Sequence, residues 1–315
     1  MIIPARWAYL ATFIGVAGHA SSEFFAVLSG IAGPEVSVWR YVIGGAGLII
    51  WALLSRETRD LVTPMRVEGI RITLLSLFGV TLTYLAFHWS LDFASVIQVA
   101  TVVTTIPIFV GFANWLINGV PPGTVKLVTG ALATLGVGLL ITDGALARLG
   151  GDVSSLIGIF LAIACAALGS FYAVLVKPVM GRHGGLRIIA LSMMIGGAGL
   201  WFLVGLAWGI WVNPLDLFAR PANAASHGIN PGWWLLVLAL WNTTVTQLLW
   251  FGGLAAAPDI TRASYLFFLK PVIAAVLAIW VLSVYPTGLQ LAAILLVAGS
   301  VLVEIFWPRS RGAEA

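Results

Sequence analysis

Residues Ile43 to Leu48 read IGGAGL, and residues Ile195 to Leu200 read IGGAGL again. In a chain of 315 residues with 35 glycines and 60% hydrophobic residues, six matching apolar letters arise readily by coincidence. The pair gains weight only from its surroundings. SEFFAVL (Ser22 to Leu28) resembles GSFYAVL (Gly169 to Leu175), with Phe24/Phe171, Ala26/Ala173, Val27/Val174 and Leu28/Leu175 identical. Further along, Pro107 answers Pro271, and Pro122 answers Pro286 at the same offset. These matches run in one order along both halves, which points to one unit built twice.

Composition decides what kind of unit. Charged residues make up 9% of the chain, against roughly 25% in an ordinary soluble domain. The apolar residues come in blocks of about twenty, the length a helix needs to cross the hydrocarbon core. Only helices and closed barrels satisfy every backbone polar group there, and no period-two alternation marks strands. Charged or Pro/Asn-rich breaks divide the chain into ten spans: Trp7 to Leu28, Val36 to Leu54, Ile70 to Leu91, Ala94 to Ile117, Thr124 to Ile141, Val153 to Val176, Leu186 to Trp211, Trp233 to Ala256, Ala263 to Val284 and Gly288 to Phe306.

The expected fold is therefore an all-α membrane protein with ten transmembrane helices, residues 1–142 and 153–315 forming five-helix repeats joined by the polar connector 143–152. A five-helix unit crosses the membrane an odd number of times, so the second copy enters from the opposite side and the repeats are inverted. Secondary transporters of this architecture place their binding site near the bilayer midplane, between the halves. The glycines and alanine of IGGAGL read as a packing surface, since small residues let membrane helices approach closely.

The first span carries His19 and Glu23 and shows no convincing cleavage site, so it reads as a membrane helix rather than a signal peptide. A net charge of +4 is spread between spans rather than gathered in a nucleic-acid patch. With the amino terminus inside, the inner segments hold Arg6, Arg56, Arg59, Arg66, Arg71, Lys126, Lys177, Arg182, Arg187, Arg262, Arg309 and Arg311, while Arg40, Arg148 and Arg220 fall outside. That bias places both termini in the cytoplasm. The single cysteine, Cys165, excludes an intrachain disulfide.

Ionisable groups inside spans are costly, about 2.5–3.5 kcal/mol at a helix centre on insertion scales, so each needs a partner or a cavity. His19 and Glu23 share a face at i, i+4. Glu23 can stay neutral, pair with Lys270 or His19, bind an ammonium group or carry a proton. Lys270 precedes Pro271, which cannot donate to the Phe267 carbonyl. Pairing with Glu23, binding a substrate anion and deprotonation are its three open fates. Thr81, Tyr84 and His88 share a face of the third span, where His88 is a ligand candidate or an interfacial residue. Gln98 and Asn242 join polar faces of the fourth and eighth spans, and Tyr172, Trp250 and Tyr265 are candidate cavity walls. Pro107 and Pro271 mark hinge points. Phosphate loops, metal-spaced Cys/His sets and a nucleophile beside a base are missing from the pattern, so an enzyme, a cofactor and a metal are not expected.

The ten-span, five-plus-five pattern resembles the drug/metabolite transporter superfamily, in particular its EamA-type exporters, over essentially the whole chain. PEVSVWRYVIGGAGL (Pro34 to Leu48) is similar to the family's opening of helix two, with Arg40 as its arginine, and ASYLFFLKPVIAAVLAIWVLS (Ala263 to Ser283) to its helix nine. Many members have an acid where this chain has Lys270, and acids near NGVPPG and SVYPTG. The latter absence also resembles the aromatic amino acid exporters of the superfamily. The resemblance implies export of amino acids or related small metabolites across a bacterial inner membrane. A channel, a lipid flippase or a membrane-embedded enzyme are the alternative readings. Exact substrate, coupling ion and oligomeric state do not follow from these residues.

Overall fold

In the computed structural model the described residues are 3–31, 33–94, 96–143, 153–222, 226, 228–282 and 286–307. The side chains of Glu23, Val27, Val96, Ile97, Val153, Ser154 and residues 278–282, and connector residues 144–152, lie outside the described residues. Among the described residues the helical segments group into ten rods. They are α1 (Ala8–Ser29), α2 (Pro34–Leu54), α3 (Val62–Ser90), α4 (residues 96–118), α5 (Thr124–Thr142), α6 (Val153–His183), α7 (Gly185–Trp208), α8 (Pro231–Ala256), α9 (residues 260–282) and α10 (Gly288–Phe306). Among the described residues there is no strand, and nine helices, in α2 to α10, are long and apolar enough to cross a membrane. Large apolar side chains such as Ile70, Phe160 and Leu206 lie exposed on the outer surface, as a lipid-facing wall requires.

Local chemistry sets the ends. Pro34 occupies the first turn of α2, where its missing N–H costs nothing. Gly119 closes α4 in the left-handed conformation at φ 70°, which glycine adopts without steric cost. Thr287 and Gln290 form a reciprocal capping box at the start of α10.

One boundary differs from the sequence expectation: α6 runs on to His183, through Pro178. In α3 the chain kinks at Glu68, whose φ of −131° and ψ of 28° are not helical, so a short helical lead-in from Val62 precedes a rod that starts beside the expected Ile70. A polar contact joins the lead-in region to the end of α6. Glu68 on α3 accepts from Arg182 at 2.8 Å to each carboxylate oxygen and lies 2.9 Å from His183 Nε2. The kink residue of α3 is thus tied to the last turn of α6.

The IGGAGL segments lie on α2 and α7, which pack together along their length. A Cβ on Gly197 would fall 2.7 Å from the Tyr41 carbonyl oxygen, and one on Gly45 would fall 3.0 Å from the backbone of Met193. Each segment also receives a hydrogen bond from another helix. Thr81 Oγ1 donates to the Gly196 carbonyl at 2.9 Å, and Thr244 Oγ1 to the Gly44 carbonyl at 2.8 Å. Both threonines occupy the fifth position of a π-helical stretch, Leu77–Leu82 in α3 and Leu240–Val245 in α8. Other contacts pair the rods reciprocally, among them α1 with α8 and α6 with α3, α4 with α6 and α9 with α1, and α5 with α10.

Two rods are interrupted. Helix α4 breaks at Thr105 into Val96–Thr104 and Ile106–Asn118, with Pro107 in the first turn of the second piece. Helix α9 passes through a 3-10 stretch, Tyr265–Leu269, before Lys270–Leu282. Each proline lacks the N–H that would continue the ladder, so the tighter or broken turn falls just before it.

Candidate functional site

A cavity lies between the central rods, bordered by α1, α2, α3, α4, α6, α8 and α9. Small residues create the approach that forms it. Gly15 lies against the Trp250 backbone and Gly18 against Thr246, so α8 is close enough to α1 for His19 and Trp250 to meet. Their ring centroids are 5.9 Å apart, edge to face, and Phe267 completes the group at 5.6 Å from His19 and 5.0 Å from Trp250. Nε2 of His19 is buried and has no hydrogen-bond partner among the described residues. Lys270, at the first position after the 3-10 stretch, borders the same space.

Opposite this group, Tyr84 on α3 stacks with Tyr41 on α2 at 4.1 Å between centroids. Gln247 Nε2 on α8 donates to both hydroxyls, at 2.7 Å to Tyr84 and 3.2 Å to Tyr41. Apolar atoms from Phe87, Val103, Ile106 and Phe251 fill the intervening wall. Of the residues expected at the site, His19, Tyr84, Trp250 and Lys270 come together here.

The others lie elsewhere. His88 is buried, with Nδ1 hydrogen-bonded to Ser37 Oγ and 2.9 Å from the Tyr84 carbonyl, so it joins α2 to α3. Asn242 is buried and donates to the Gly18 carbonyl at 2.5 Å and to Ser21 Oγ at 3.0 Å, joining α8 to α1. Tyr172 packs edge-on against Phe251 at 4.9 Å. Gln98 is buried in α4 without bordering the cavity. Tyr265 donates its hydroxyl to the Lys126 carbonyl, and the Glu23 side chain is outside the described residues.

Arg40, expected among the outer basic residues, is instead buried inside α2. It is the seventh residue of α2, is 5% exposed and borders the cavity. Its Nε donates to Thr243 Oγ1 at 3.0 Å and its Nη2 to the Asn242 carbonyl at 2.8 Å. An available signal was the amphipathic register of PEVSVWRYVI, which sets Arg40 one turn before Gly44 on the helix.

The cavity has about 60 Å³ of room for water-sized molecules, enough for a few waters at roughly 10–15 Å³ each. Sites that enclose drug-sized ligands run to roughly 300–1,000 Å³, so a larger molecule can enter only if the helices part. Two cationic side chains, one imidazole and several ring faces can hold a small molecule by charge and by apolar contact. Among the described residues, no group of three or more His, Cys, Asp or Glu is arranged to hold a metal ion.

A second polar cluster lies away from the cavity, at the turn between α8 and α9. Lys126 Nζ is 2.6 Å from Asp259 Oδ2, Arg262 Nε is 3.5 Å from Glu304 Oε1, and Lys177 Nζ donates to the Ala257 carbonyl at 2.7 Å. Burial pushes the Asp259 carboxyl up, but hydrogen bonds from the Lys126 ammonium and the Arg262 N–H bring it below its ordinary value.

Residues 6–142 and 156–306 match the EamA-like transporter family. The chain belongs to the EamA-like transporter family. An uncharacterized transporter of Archaeoglobus fulgidus is 23% identical over 253 residues, 80% of each chain. A protein solved by crystallography shares the fold, with a TM-score of 0.77 at 18% identity over 94% of this chain and 95% of the other. This EamA-like chain is thus a multi-pass membrane transporter, and its family consists of transporters rather than enzymes.

Proposed function

We propose that this EamA-like protein is a secondary carrier that exports amino acids or related small metabolites across a bacterial inner membrane by alternating access. Ten transmembrane helices form two inverted five-helix repeats, 1–142 and 153–315, linked by 143–152, with both termini in the cytoplasm. The reading is carried by one observation: the cavity is bordered by helices of both repeats, with Arg40 and Tyr84 from the first and Trp250 and Lys270 from the second. Support for inversion comes from the odd helix number of each repeat and from the reciprocal Thr81–Gly196 and Thr244–Gly44 bonds. With Arg40 buried, the basic residues outside the membrane lean further toward the inner side.

In this reading Lys270 receives acidic groups of the substrate, while Glu23, one turn along α1 from His19, serves with His19 for an ammonium. Tyr84 and Trp250 meet its apolar part, and α4 and α9 bend at Pro107 and Pro271 as the halves exchange access. Purified protein in liposomes preloaded with an unlabelled amino acid should accumulate the labelled one, with saturation. Lys270→Ala should lower that exchange at least tenfold while the protein stays folded. Flux that never saturates would identify a channel, and a chemically altered product would identify an enzyme.

A further inference from the structure

Arg40 borders the cavity with its guanidinium held from two sides. A guanidinium has five N–H donors in a planar fork. Two of them are fixed on α8, by the Thr243 hydroxyl and the Asn242 carbonyl, and both acceptors belong to the π-helical stretch Leu240–Val245. Wide π turns of this kind occur often at functional sites. The aromatic ring of Tyr41 lies under the guanidinium at 5.4 Å. Fixed on one edge by α8 and on one face by a ring, the fork has its orientation set while the side chain still borders the cavity. Lys270 is a point charge on a flexible stem, suited to attraction but not to reading planar geometry.

We infer that Arg40 is the carboxylate-reading residue of the cavity, so the carried molecule presents a carboxylate to the guanidinium edge turned away from α8 and an apolar or aromatic part to His19, Trp250 and Phe267. This rests on the carrier reading of the same cavity. The paired N–H groups of the fork match the two oxygens of a carboxylate, and pre-set orientation lowers the ordering cost of binding. The rings that face this space give the remainder of the ligand an apolar wall.

The test uses the full-length protein in detergent, with isothermal titration calorimetry against four probes that share a phenyl group: 3-phenylpropionate, phenylalanine, phenylalaninamide and phenethylamine. The two carboxylates should bind at least about tenfold more tightly than the two that lack one, the scale of a hydrogen bond to a charged group. Arg40→Gln should erase that preference, and Arg40→Lys should restore part of it. The inference is overturned if the amines bind as well as the carboxylates, if no carboxylate binds, or if Arg40→Gln binds carboxylates like wild type and only melts earlier. Where Arg40→Gln does not stay monodisperse, Arg40→Lys decides: a weakened carboxylate preference supports the inference, and a preference equal to wild type overturns it. Counterflow in liposomes separates this from the carrier reading. A carboxylate that binds through Arg40 without being exchanged removes the carrier and leaves Arg40 in place, whereas exchange of amines alone does the reverse.

Discussion

Gly197 shows how a single position enforces the α2–α7 contact. A Cβ there would meet backbone at 2.7 Å, and backbone cannot rotate aside as a side-chain tip can. Gly197→Val should therefore lower stability by about 1–3 kcal/mol, the range of overpacked cores, read as an earlier melting transition in detergent. Gly138, whose Cβ would meet nothing within 4 Å, supplies the control: Gly138→Ala should melt at or slightly above the wild-type temperature. The packing role of IGGAGL was legible from its small residues. The partners of Arg40 were not: the register sets it on the Gly44 face, but an arginine near a helix end carries the same letter whether it snorkels to the interface or turns inward to Thr243.

At the scale of elements, the two π-helical stretches place equivalent threonines against equivalent glycine carbonyls. Removing either hydroxyl breaks one buried hydrogen bond, so Thr81→Val and Thr244→Val should each cost about 1 kcal/mol. Because the two sites share no partner, the double variant should lose close to the sum, measured by thermal unfolding of all three. No sequence pattern marks a π stretch. LFGVTL and LWNTTV share little beyond a leucine and a threonine, and the wide turn is settled by what lies opposite.

The α8–α9 turn carries a pH dependence. Since Asp259 is held below its ordinary value in the folded protein, its contribution to stability is complete above the ordinary carboxylate range and is lost as pH falls through the lowered folded value. Melting curves from neutral to acid pH should show Asp259→Asn less stable than wild type at pH 7, with the gap closing toward the acid end. A constant gap would mean that the ion pair to Lys126 is not its source. Neither member of this pair stood out in the sequence, because residues 126 and 259 are joined only by the folding of α5 beside α9.

For the whole molecule, the topology can be tested with one residue type. Cys165 is buried, so a Cys165→Ala background allows single-cysteine labelling. Leu54 and Leu215 are 81% and 92% exposed; Leu54 is the last residue of α2 and Leu215 lies in the segment after α7. With cytoplasmic termini, Leu215→Cys should react with a membrane-impermeant maleimide added to whole cells, and Leu54→Cys only after the cells are broken. The opposite pattern would reverse the direction assigned to transport.

The chain's own pattern was sufficient for the helical membrane class and for the near positions of the rods, because each of these depends on the environment along one helix. Tertiary structure alone decided which polar residues share a space. Tyr84, Trp250 and Lys270 meet across gaps of up to 186 positions, while His88, Asn242 and Tyr265 turn to neighbouring helices. In a bilayer every buried polar group must find a partner or a cavity. Periodicity can state that requirement, but only the packing of ten rods against one another determines which of the two each group receives.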